Sequence, residues 1–135
     1  MKVCNKTNNN CILAGGKLND IKDSRVVQIK KEEYDTTIIF ADLKAIDGVE
    51  PKLEKEQADA VAAWGGYNRA QGKKTIVVLT TPGVAITKPW DKDVDAVIVN
   101  FYAGERMAQA LTNVLYGDIN PSGKLPMTYP TEENE

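Results

Sequence analysis

Ala96-Val97-Ile98-Val99-Asn100-Phe101-Tyr102-Ala103-Gly104-Glu105-Arg106-Met107-Ala108-Gln109-Ala110-Leu111-Thr112-Asn113-Val114-Leu115-Tyr116-Gly117 holds a strand, a turn and a helix in sequence. Its first five residues form a run that is apolar and largely β-branched up to Asn100 and does not alternate, the pattern of a strand covered on both faces. Further on, Met107, Ala110, Leu111, Val114 and Leu115 mark one face of a helix expected over Gly104–Tyr116. Gly117 then stands where a left-handed C-cap belongs.

The same alternation of elements extends upstream. Thr36–Ala41 (TTIIFA) and Thr75–Leu79 (TIVVL) are two more continuous apolar runs. Between them Leu53, Ala60, Val61, Trp64 and Tyr67 recur near helical spacing over Leu53–Gln71, with Glu54 and Glu56 in the favoured acidic first turn. Gly65-Gly66 is the point where that helix is expected to end or bend. Two further strands are expected at Cys11–Ala14 (CILA) and Arg25–Ile29 (RVVQI). Strands that alternate with helices pair in parallel through crossovers. The expected fold is therefore α/β, a three-layer sandwich with a mostly parallel sheet and helices on both faces. At 135 residues the chain is expected to form a single domain, with 131–135 a frayed acidic tail.

With 42% hydrophobic and 27% charged residues and a formal net charge of -2, composition gives no electrostatic reason to bind nucleic acid or an anionic membrane. No apolar run approaches the roughly 20 residues of a membrane span, and the polar start Met1–Lys6 lacks a secretory core. The chain as written is thus expected to be cytoplasmic, or secreted or lysosomal if it is a piece of a larger precursor. Cys4 and Cys11 read as free thiols, and Asn5-Lys6-Thr7 fits a glycosylation sequon that matters only in a secretory pathway. There is no histidine. That removes the usual general base, the commonest metal ligand and every Ser-His-Asp or Cys-His arrangement. No phosphate-cradling glycine motif is present. Asp91, Asp93 and Asp95 lack the glycine and terminal glutamate of a calcium loop. Neither cofactor nor metal is expected.

In open parallel sheets the loops after the strand C-termini hold ligands. After Ala41, Asp47 and Glu50 sit in a charged loop, Asp42–Lys52, able to supply an acid, a base or acceptors for sugar hydroxyls. The plainer alternative is a solvated loop. Thr80-Thr81-Pro82-Gly83 reads as a structural turn. After Asn100, Tyr102 could stack on a sugar face, as could Trp90 after Lys88-Pro89; ordinary packing is the favoured role for aromatics at such positions. Beyond Gly117, Asn120, Pro121, Ser122 and Gly123 form a dense turn, and Pro126 and Pro130 keep the exit segment out of helix and central strand.

Taken together, Pro89-Trp90, Asp95–Ile98, Tyr102–Glu105, Ala108–Leu111, Val114–Pro126 and Thr128–Pro130 resemble the second domain of family 3 glycoside hydrolases, the β-glucosidases, β-xylosidases and β-hexosaminidase relatives. The match runs in consistent order from about Asp35 to Pro130. The resemblance implies an α/β sandwich beside a (β/α)8-like barrel with the sugar pocket between them. It also implies that the barrel supplies the nucleophilic aspartate, while a sandwich loop supplies the acid/base glutamate in many members. On that basis Asp47 and Glu50 are acid/base or hydroxyl-binding candidates, Trp90 and Tyr102 substrate-binding candidates, and Asn120–Gly123 an interdomain turn. The chain departs from the family at Asp47-Gly48-Val49-Glu50-Pro51, where many members show Glu-Gly-x-Asp-Arg. It departs again at Thr81-Pro82-Gly83, which reverses the usual glycine-before-proline order, and at Ala103, which replaces a proline. The implied partners are carbohydrate and a barrel-bearing chain, or self-association. The alternative implied is a stand-alone, non-catalytic carbohydrate-binding or protein-interaction module descended from that domain.

Overall fold

The computed structural model describes the backbone of residues 11–14 and the full structure of residues 34–43 and 51–130. Four parallel strands form one sheet in the order β1-β2-β3-β4: β1 Cys11–Ala14, β2 Thr36–Asp42, β3 Lys74–Thr80 and β4 Ala96–Asn100. Among the described residues two helices, α1 Lys55–Ala70 and α2 Met107–Leu115, form an α/β sandwich with this sheet, together with a short 3-10 turn at Asp91–Asp93. The strand expected at Arg25–Ile29 and the tail 131–135 lie outside the described residues.

β3 is the central apolar strand. Val77, Val78 and Leu79 are all fully buried although neighbours along a strand point to opposite faces. One face meets α1: Ile39, Ala41, Val77 and Leu79 pack with Ala58 and Val61 of the helix and with Leu43, Leu53, Ala85 and Trp90. On the opposite face Ile38 and Val78 are buried as well. β2 and β3 are thus covered on both sides, as their lack of alternation requires. β4 departs from that expectation: it is the last strand in the order, Ala96 and Val97 are exposed and none of its residues is buried. The Lys88–Pro89 peptide, just before Trp90, is cis.

α1 does not end or bend at Gly65-Gly66 but runs straight through to Ala70. The reason is a close approach. A Cβ on Gly65 would lie 2.3 Å from the Asp93 carbonyl oxygen, so the missing side chain lets the helix press against the 3-10 turn. Arg69, one turn further along α1, donates to the Lys92 carbonyl and reinforces that contact. At Gly66 a Cβ would meet nothing within 4 Å. The two adjacent glycines should therefore respond in opposite directions. Gly65→Ala is expected to cost about 3 kcal/mol, the upper end of overpacking penalties, because the obstacle is backbone. Gly66→Ala is expected to stabilise by about 0.5–1 kcal/mol through helix propensity. Urea midpoints of the two variants check the pair.

The helix stops at Gly72, whose φ of 68° is left-handed. Gly72 N–H donates to the Arg69 carbonyl at 3.1 Å and Lys73 N–H to that of Asn68 at 2.9 Å, closing a Schellman cap. Just inside that cap, Asn68 is fully buried and joins helix to sheet. Its amide donates to Thr37 Oγ1 at 2.9 Å and Thr75 Oγ1 at 2.8 Å, while its oxygen accepts from the Tyr34 hydroxyl at 2.9 Å. Burial raises the Tyr34 pKa, opposed by a hydrogen bond with Thr37 and aided by the nearby Tyr67. Asp95, at the entry to β4, accepts from Lys74 Nζ at 2.9 Å and from Thr75 N–H at 2.8 Å. These two bonds hold its carboxyl below the usual carboxylate range. The stability they contribute is present above that range and disappears as pH falls through the lowered value.

Candidate functional site

The C-terminal edge of the sheet is the site an open parallel sheet offers to a ligand. Register brings three loops out from it at one level, because Asp42 pairs with Thr80 and Thr80 with Asn100. Leu43 N–H extends the ladder with a 2.8 Å bond to the Thr80 carbonyl. The chain then passes through 44–50, so Asp47 and Glu50 lie outside the described residues. It returns at Pro51, whose carbonyl accepts from Ile86 N–H at 2.7 Å, with buried Leu53 behind it as an anchor.

The second loop is more than a simple turn. Thr81 is fully buried, and its hydroxyl donates to the Gly83 carbonyl at 2.9 Å while accepting from Gly83 N–H at 3.3 Å. The same carbonyl accepts from the Tyr129 hydroxyl at 3.0 Å. Tyr129 also packs against the core, and burial raises its pKa. The segment after α2 is thereby drawn back and fastened to the loop after β3. This fastening is not marked by any motif. Its faint sequence signal is an aromatic residue held between Pro126 and Pro130.

In the third loop Tyr102 is 64% exposed. Gly104 has φ 75°, a left-handed conformation that no helical residue adopts, so α2 begins at Met107 rather than at Gly104. The other end of α2 follows the sequence reading. Gly117 has φ 77° and donates to the Val114 carbonyl at 3.1 Å, and Ile119 N–H donates to that of Asn113 at 3.1 Å. Met107, Leu111, Val114 and Leu115 are half-buried, Ala110 is exposed, and no residue of α2 is buried. Asn120, Pro121, Ser122 and Gly123 do not form the expected turn: the chain turns and bends over 116–119, directly at the Gly117 cap. These four residues follow as an irregular, exposed segment, and the neighbouring large apolar side chains Ile119, Leu125 and Met127 are exposed as well.

Trp90 sits elsewhere. It is fully buried in the core cluster against α1 and β3 and presents no ring face to a ligand, which fits the packing role. Of the residues singled out from sequence, Tyr102 and the Asn120–Gly123 segment are accessible. Among the described residues no group of three or more His, Cys, Asp or Glu is placed to hold a metal, and no helix is long and apolar enough to cross a membrane.

Comparison with known proteins gives one answer from three directions. The profile of the glycosyl hydrolase family 3 C-terminal domain matches residues 5–135. The chain is 37% identical over 93 residues to β-glucosidase BoGH3A of Bacteroides ovatus, covering 69% of this chain and 12% of that enzyme. It is 33% identical over 89 residues to a β-glucosidase of Rhizobium radiobacter, covering 66% and 10%. Among solved structures, β-glucosidase 3B of Thermotoga neapolitana superimposes with a TM-score of 0.65 and 28% identity, over 75% of this chain and 15% of that one. The chain therefore spans only a small fraction of the length of the relatives it matches. With the left-handed cap at Gly117 and the parallel sheet in their expected places, the chain belongs to the glycosyl hydrolase family 3 C-terminal domain family.

Proposed function

We propose that this chain contributes one side of a β-glucosidase-type sugar pocket whose other side, with the nucleophile, is carried by a barrel. The observation that carries this reading is the extent of the matches: relatives named β-glucosidases align with this chain over 10–12% of their length, and the matching family is a C-terminal domain. Hydrolysis with retention needs two carboxyl groups about 5–5.5 Å apart across the scissile bond. In this reading Asp47 or Glu50 is the sandwich's contribution, as acid/base or as an acceptor for sugar hydroxyls, and Tyr102 is a stacking surface beside it. The Asn120–Gly123 segment faces the barrel. Support for that placement comes from the apolar side chains around it: Ile119 and Leu125 are each more than half exposed, and Met127 is 40% exposed, on a segment with no secondary structure. Large apolar groups gathered on one exposed segment mark a contact surface.

The purified chain alone is expected to show no turnover of aryl β-glucosides and to co-purify with a barrel-bearing chain from its source. Turnover by the lone chain that Asp47→Asn or Glu50→Gln abolishes would overturn the proposal. A second reading, a non-catalytic sugar-binding module, is favoured by one observation, the replacement of the family's Glu-Gly-x-Asp-Arg by Asp47-Gly48-Val49-Glu50-Pro51. Sugar binding without any turnover, even after a barrel is supplied, is its expected signature.

A further inference from the structure

The ladder register assembles a row of polar side chains that no motif marks. Asp42, Thr80 and Asn100 are the last residues of β2, β3 and β4 and are register partners in turn. Partners in a sheet share a face, and neighbouring strands lie about 4.8 Å apart, so the three side chains form a row about 10 Å long. They are one residue out of phase with Ala41 and Leu79, which belong to the core under α1. The row therefore lies on the opposite face, at the ligand-bearing edge and directly before the loop that carries Asp47 and Glu50. Its backbone is fixed by the bonds from Leu43 N–H to the Thr80 carbonyl and from Thr81 N–H to the Asn100 carbonyl. Asp42 is exposed and the other two are half-buried. Among the described residues none of the three side chains makes a hydrogen bond or ion pair.

We propose that Asp42, Thr80 and Asn100 form a subsite for the hydroxyl groups of a neutral sugar. The carboxylate only accepts, the threonine hydroxyl donates and accepts, and the asparagine amide offers two donors and an acceptor. Sugar hydroxyls both donate and accept, so they can satisfy all three groups at once. The row contains a negative charge and no positive one, so it disfavours a phosphate or a uronate. The choice of a sugar rests on the β-glucosidase-type reading, whereas the row itself does not.

The test is an amide-resolved NMR titration of the full 135-residue chain with methyl β-glucoside and, separately, with glucuronate. Methyl β-glucoside is expected to shift the amides at and around residues 42, 80 and 100, with glucuronate binding more weakly. Thr80→Val combined with Asn100→Leu should weaken glucoside binding about tenfold, the effect of removing two modest hydrogen bonds. Asp42→Asn, at an exposed position that tolerates the change without unfolding, should abolish the preference over glucuronate. No shifts up to the solubility limit of the glucoside, shifts elsewhere, or equal binding of glucuronate to the unaltered chain would each overturn the proposal. Because the titration reads binding by the chain alone, it can fail while a barrel partner is found, or succeed while none is.

Discussion

Trp90→Ala is expected to destabilise the chain by about 3–5 kcal/mol, the range for emptying a large aromatic site in a core. The indole is fully buried among Ile39, Val77, Leu79 and Val61, where strands β2 and β3 meet α1, so its removal opens a cavity at the centre of the sandwich. Trp90→Phe separates shape from polarity. The indole Nε1 is buried and has no hydrogen-bond partner among the described residues, so phenylalanine loses volume but abandons no bond. Its cost should be well under half that of alanine. Urea denaturation of both variants, followed by far-UV circular dichroism, measures the difference. Equal losses for the two would mean that the indole N–H matters and has a partner. Near-neutrality of Trp90→Ala would mean that the residue is outside the core.

Asn68→Leu is expected to cost about 3 kcal/mol or more even though it puts a larger apolar surface into a buried site. The substitution strands Tyr34, Thr37 and Thr75 together, since the asparagine bonds all three. An abandoned buried polar group costs about 1–3 kcal/mol, and a network that loses its hub loses more than one bond. The network can also be removed as a unit. Adding Tyr34→Phe, Thr37→Val and Thr75→Val to Asn68→Leu should recover most of the loss, because deleting donors and acceptors together leaves none unpaired. Denaturation midpoints of the single and quadruple variants decide this, and a quadruple variant as unstable as the single one would refute it. Asn68 also shows why its role was hidden: a lone asparagine near a helix end ordinarily reads as a solvated or capping residue. Its partners come from three places in the chain, Tyr34 before β2 and one threonine on each of β2 and β3.

Local features were legible where one element sufficed to define them. Continuous β-branched runs mark β2, β3 and β4 to within a residue or two, and the left-handed glycine after α2 stands at Gly117. Where the expectation failed, the cause was a neighbour distant in sequence or a backbone angle that residue type alone does not dictate. Gly65-Gly66 resembles a helix break, yet Gly65 is small because Asp93 lies against it. Gly104 resembles a helix start, yet its left-handed φ delays α2 to Met107. At the candidate site the accessible Tyr102 and the exposed Asn120–Gly123 segment stood out in the sequence, although the turn expected over 120–123 falls at 116–119 instead. The fastening of Tyr129 to Gly83, by contrast, spans 46 residues and follows from no local pattern.

By itself, the sequence determined which segments become strands and helices, that β2 and β3 are covered on both faces, and to which family the chain belongs. Each of these depends on periodicity, backbone preference or motif spacing, all properties of nearby residues. Only the tertiary structure decided the helix–turn contact at Gly65, the buried Asn68 hub, the enclosure of Trp90 and the alignment of Asp42, Thr80 and Asn100. Those depend on the register between strands and the distance between packed layers, which are set when separate parts of the chain bury their apolar surfaces against one another.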